Sequence, residues 1–224
     1  MKKLKSFFNT VKAEILKQII NLTSQLIAVN LSEEQNFPSE KDGSIYISGN
    51  HDLAVALKNI PYSEIYSLLN REKNYNIKMV DGALIQLMYS FNNQGELEKY
   101  RLAFFPSPNL EEFQNNSEIY EQDEVYADIL DKNIVTSPIR FDFDPKNFKI
   151  LDHSKSHLTI GQYRNCRIPL TAPITPNIFI DFILRNFYNT ARIKFTSDLS
   201  FELKNGFGEC IHDEERAILH MDIT

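Results

Sequence analysis

The segment TPNIFIDFILRNFYN, residues 175–189, restricts the possible folds of this chain more than any other stretch. Thr175 is a natural N-cap and Pro176 occupies the first helical position, where a missing N–H costs nothing. Ile178, Phe179, Ile180, Phe182, Ile183, Leu184, Phe187 and Tyr188 then lie almost all round the helix, and Asp181, Arg185 and Asn186 form its only polar strip. A helix so apolar must be buried on most of its sides. It predicts a layered domain, with a sheet against one side of the helix and another element beyond.

The amino terminus supplies a candidate for that element. Leu4, Phe8, Val11, Ile15, Ile19, Leu22, Leu26 and Val29 recur at alternating spacings of three and four, one apolar stripe along a long helix. Lys12, Glu14, Lys17 and Gln18 break up any apolar run, so the stretch reads as neither a signal peptide nor a membrane span, and a cytoplasmic location without membrane contact is expected. Lys2, Lys3, Lys5, Lys12 and Lys17 against Glu14 make its start basic. Residues 1–30 are therefore expected either to pack on their own domain or to protrude toward a partner.

Between these helices the chain reads mostly as strand. SIYISGN alternates and stops at Gly49. YSEIYSLLNREKN after Pro61 reads as a short helix with Ile65, Leu68 and Leu69 inward. GALIQLMYSF and LEKYRLAFF flank NNQGE, the pattern of an antiparallel hairpin. Residues 194–224, with Gly206 and Gly208, are expected to add further strands around a turn. A single α+β domain over 1–224 follows: an antiparallel twisted sheet packed against the long N-terminal amphipathic helix and the buried helix near 176–189. At 224 residues, with 16 Phe, 10 Tyr and no Trp, such a domain has enough aromatic bulk for one core. Cys166 and Cys210 are too few for a disulfide framework and lack metal-ligand spacing.

The formal net charge is −6. Residues 110–131 carry Glu111, Glu112, Glu118, Glu121, Asp123, Glu124, Asp128 and Asp131 with no Lys or Arg, so the rest of the chain sums to +2. This acidic segment reads as a solvated stretch, or as an insert that shields a basic groove or docks on a basic partner.

Chemistry concentrates in IRFDFDPKNFKILDHSKSHLTIGQYRNCRIPL, residues 139–170. IRFDFDP alternates, setting Phe141 and Phe143 on one strand face and Arg140, Asp142 and Asp144 on the other. Two carboxylates two residues apart on a strand lie about 6.6 Å from each other, close enough to share a cation or an arginine. PKN reverses the chain, FKILDHS runs back, and HLTIGQYRNCRIPL holds at least one more strand punctuated by Gly161. Asp142, Asp144 and His157 are the candidate catalytic groups. Asp142, Asp144 and His153 are the donors that Mg or Mn would take. His153 and His157 in an extended strand would lie about 13 Å apart, too far to bind one ion together. Arg140, Tyr163, Arg164 and Arg167 combine base with aromatic in the way that suits phosphate contact and stacking, with salt bridging to Asp142 or Asp144 as the structural alternative. Arg185 is expected to face the same cleft. Cys166 reads as a small buried hydrophobe.

RFDFDP, SHLTIGQYRNCRIPL and PITPNIFIDFILRNFYN together resemble the bacterial family named domain of unknown function twenty-two ninety, most distinctly over about residues 138–190. The resemblance implies a partner encoded beside a helicase in two-gene systems that resist phage, and it transfers no catalytic residues. No GxxxxGK[ST] loop is present, so an ATP-driven step would belong to the helicase. Two functions are then open. One is a nuclease-like effector acting on nucleic acid through the 139–167 cluster. The other is a non-catalytic subunit that binds and regulates the helicase through the first helix and the acidic segment.

Overall fold

The computed structural model describes residues 2–41, 43–47, 60–108, 137–163 and 165–223, and the side chains of residues 2–10 lie outside that description. The acidic 110–131 segment, Gly49 and Arg164 also fall outside it. Nine strands form one sheet: β1 (Ser32–Gln35), β2 (Pro38–Lys41), β3 (Ser44–Ile47), β4 (Ile77–Met79), β5 (Leu84–Phe91), β6 (Leu97–Phe105), β7 (Ile139–Phe143), β8 (Ser156–Ile160) and β9 (Ile168–Pro169). All the pairings are antiparallel, and the main path runs β1-β4-β5-β6-β7-β8-β9, with β3 joining β5 and β2 joining β3. The helices are α1 (Lys2–Ala28), α2 (Tyr62–Arg71), α3 (Pro176–Phe187), α4 (Asn189–Lys194) and α5 (Asp213–Arg216). The fold is α+β, as the patterning predicts.

Alternation on the central strands separates two faces. Tyr89, Phe91, Tyr100, Leu102, Phe104, Phe141, Phe143 and Leu158 point to one face, which α1 and α3 cover. Ile15, Ile19, Leu22, Leu26 and Val29 of the N-terminal stripe are buried there, with Val11 half-buried. From Val11 onward the helix therefore packs on its own domain. Phe141 meets Phe179 and Phe182 of α3 edge-on, with ring centroids 5.8 and 5.4 Å away, an arrangement that adds to the burial of each ring.

The N-cap of α3 forms as the sequence indicates, with Thr175 Oγ1 accepting from the Ile178 N–H at 3.4 Å. Thr175→Ala removes that acceptor, and urea denaturation should show a loss of about 1 kcal/mol.

On the opposite face, α2 sets Ile65, Tyr66 and Leu69 against Leu84, Ala103 and Phe105. Leu68 is half-buried. This helix covers only the β5–β6 end of its face. Toward β8 that face carries polar side chains instead.

Two stretches depart from expectation. FKILDHS does not run back as a strand. Pro145–Asn147 form a 3₁₀ turn, and Lys149 and His153 exchange backbone hydrogen bonds around Leu151, whose φ is 62°. The residues after 195 add no strand to the sheet among those described. They are tied down by an isolated Leu170–Met221 bridge and by the Thr171 carbonyl, which accepts from Cys210 N–H at 2.8 Å. Sequence from Phe201 to Gly208 lacks sustained alternation, and α5 is begun instead by a capping box between His212 and Glu215.

Candidate functional site

Three strands build the site. β6 supplies Arg101, β7 supplies Arg140 and Asp142, and β8 supplies His157 and Thr159. Antiparallel register sets Arg101 opposite Asp142 and Asp142 opposite His157, with Ala103, Arg140 and Thr159 forming the neighbouring row. Both rows point away from the Phe141 face, because successive residues of a strand alternate. The 145–153 turn and the loop after Gly161 rise beside them. Together they enclose a cavity of about 710 Å³, lined by Lys99, Arg101, Arg140, Asp142, Asp144, His153, His157, Tyr163 and Arg167 among others.

At the base lies a buried ion pair. Arg101 Nε donates to Asp142 Oδ1 at 2.9 Å, with the two side chains 6% and 10% exposed. Burial pushes the Asp142 carboxyl up, but Arg101 and Arg140 more than offset that and hold it below the usual carboxylate range. Asp144 follows the same logic nearer the surface. It accepts from Asn147 Nδ2 at 2.9 Å and Lys99 Nζ at 3.1 Å, which outweigh its burial and lower its pKa.

Arg140 is different. Its Nε and Nη1 atoms are buried and have no hydrogen-bond partner. Burial lowers its pKa, Asp142 opposes this, and Arg101 and Arg167 add like-charge repulsion. Buried polar groups are nearly always partnered, so two idle guanidinium donors call for an acceptor that the described residues do not supply. With Lys99, Arg101, Arg140 and Arg167 against Asp142 and Asp144, the described lining residues carry two positive charges in excess. It fits an anion.

His157, 3% exposed, has Nδ1 at 2.9 Å from the Ser154 carbonyl oxygen. A carbonyl only accepts, so Nδ1 bears the proton and Nε2 keeps the lone pair of the neutral ring. Burial lowers the His157 pKa, and the nearby Asp142 charge and the Ser154 bond only partly counter it. A neutral imidazole with a free lone pair can accept a proton at neutral pH.

The histidine spacing corrects the extended-strand reading. His153 and His157 have ring centroids 4.9 Å apart at 73°, and the chain between them bends at Lys155 instead of running straight. Even so, no three His, Cys, Asp or Glu side chains among the described residues gather closely enough to hold a metal ion. The physical reason is charge: Asp142 and Asp144 are already bound by Arg101 and Lys99. The Mg or Mn expectation on Asp142, Asp144 and His153 thus finds no fitting donor set here.

Arg185 is also corrected. Its Nε donates to Asp181 at 2.6 Å on α3, across the sheet from the cavity, and Arg192 binds the same carboxylate at 3.1 Å. Tyr163, 76% exposed, stands at the cavity mouth. Gly161 has φ +68°, a left-handed backbone that glycine adopts without strain. Arg167 Nη1 donates to the Asp152 carbonyl at 3.3 Å, joining loop to turn. Cys166 is half-buried, and both cysteines are free. Burial raises the Cys210 thiol to about 11, which keeps it protonated.

Arg101 and Lys99 escaped the sequence reading. The available signal was a charged residue inside LEKYRLAFF, on the alternation face of Ala103 and Phe105 rather than on the core face.

A family model described as "Uncharacterized conserved protein (DUF2290)" matches residues 31–223, which include every element of this site. No curated protein and no solved structure matches the chain. No helix among the described residues is long and apolar enough to cross a membrane.

Proposed function

We propose that this chain, which belongs to the DUF2290 family of uncharacterized conserved proteins, binds the phosphodiester backbone of a nucleic acid in the β6–β8 cavity and acts on it as a nuclease-like effector subunit. The observation that carries the reading is Arg140, whose buried Nε and Nη1 face no acceptor among the described residues. A phosphate oxygen meets that need with charge-assisted bonds. Arg101 and Arg167 add charge that would stabilise a phosphorane-like transition state, and the Nε2 lone pair of His157 would take a proton from an attacking water as its oxygen bonds to phosphorus and one P–O ester bond breaks, the leaving alkoxide taking its proton from solvent. Asp142 positions Arg101 rather than attacking or ligating. In this proposal the chain works in bacterial anti-phage defence beside a helicase, which would deliver strands to the cavity.

The test is binding of fluorescently labelled single-stranded DNA and RNA by anisotropy, with Arg140→Met as the variant. Loss of charge-assisted bonds to phosphate should weaken binding about 10- to 100-fold. The melting temperature should hold or rise, since a buried cation without a partner is removed. Equal affinity of variant and wild type, or no binding by either, removes the reading.

A further inference from the structure

A second cavity of about 650 Å³ adjoins the first, and the two share Asn147, His153 and Arg167 as common lining. Its remaining walls come from the 145–153 turn and the loop after Gly161: Lys146, Phe148, Lys149 and Asp152 on one side, Asn165 on the other. Three cations, Lys146, Lys149 and Arg167, face one carboxylate, Asp152, so this cavity too carries an excess of two positive charges. Lys146 Nζ bonds Glu98 at 2.9 Å on an exposed surface, where the pair is weak. Arg167, held to the Asp152 carbonyl, stands between the two spaces with its guanidinium common to both.

We infer that the second cavity is a phosphate subsite for the next nucleotide along the strand, so that the ligand of this protein is a polynucleotide bridged by Arg167 rather than a mononucleotide or a free phosphate. This rests on the reading of the first cavity given above. The two spaces are contiguous and have the same sign, and a chain of phosphodiesters is the ligand whose charges recur in a row. A single phosphate would satisfy Arg140 and engage neither Lys149 nor Lys146, whose bond to Glu98 is an exposed one. Phe148, half-buried in the second cavity, and Tyr163 at the mouth of the first place one aromatic ring near each subsite, as in grooves that follow single strands.

Isothermal titration of thymidine 5′-monophosphate against the 5′-phosphorylated thymidine dinucleotide tests it. The dinucleotide should bind at least about tenfold more tightly, the scale of one added set of charge-assisted contacts. Lys146→Ala with Lys149→Ala should abolish that gain and leave the mononucleotide affinity unchanged, whereas Arg140→Met should weaken both ligands. Both lysines lie on the surface turn, and Lys149→Gln alone, which should halve the logarithm of the gain, provides a milder variant. Arg140-dependent mononucleotide binding with no dinucleotide gain, or a gain that survives the double variant, overturns the subsite and spares the first cavity. Failure of wild type to bind either nucleotide overturns both.

Discussion

Asp142→Ala should lower the melting temperature by about 6–20 °C, as a break in a buried ion pair costing about 3–5 kcal/mol implies for a chain of this length. The cause is the neighbourhood and not the single bond. Asp142 lies opposite Arg101 in the strand register and its charge also acts on Arg140, so without it both guanidinium groups lose that carboxylate on a low-dielectric floor. The pH dependence has a definite sign. The folded pKa of Asp142 lies below its ordinary value, so its contribution is fully present above about pH 4 and is lost as pH falls through the lower folded value. Calorimetry of wild type and Asp142→Ala should therefore show a constant gap from neutral pH down to about pH 4, narrowing below it. A variant that melts with the wild type at pH 7 would mean that the arginines find other acceptors.

His157→Gln should reduce strand cleavage by about 10²- to 10⁴-fold, the usual contribution of a positioned general base. Oligonucleotide affinity should change little, because the proposed binding would rest on the arginines. The pH–rate profile separates this role from a structural one. Burial holds the His157 pKa below its ordinary value, so the neutral, proton-accepting ring predominates throughout the neutral range and is lost only on the acid side of about pH 6.5. Cleavage should be level at neutral pH and fall as acid protonates Nε2. Linkage runs the same way: the stability His157 contributes is complete above about pH 6.5 and is lost as pH drops through the lower folded value. An acid limb centred above pH 6.5, or full cleavage by the glutamine variant, would assign the proton transfer to another group.

Much of the framework could be read from local pattern. The α1 stripe, the α3 cap at Thr175, the β5–β6 hairpin and the Phe141–Phe143 alternation each depend on residues within one element, where periodicity and capping act over a few positions. The site was legible as a set of residues but not as chemistry. Asp142 looked like half of a metal pair because its partner, Arg101, lies 41 residues earlier and meets it only through the β6–β7 register. His153 and His157 looked remote because the bend at Lys155 that separates the turn from β8 carries no Gly or Pro to announce it. Arg185 looked like a cleft residue because nothing in its own helix says which side of the sheet the helix covers.

The amino-acid sequence by itself determined the two long helices and the central hairpin, that the core is aromatic, and that Arg140 and Asp142 share one face of a strand. Tertiary structure alone decided which charges cancel and which do not: Asp142 and Asp144 are spent on Arg101 and Lys99, while Arg140 keeps two buried donors without an acceptor among the described residues. The physical reason is range. Periodicity is a property of neighbours along the chain, whereas the sign and strength of an electrostatic site depend on every charge brought within a few ångströms and on how much water is excluded around them.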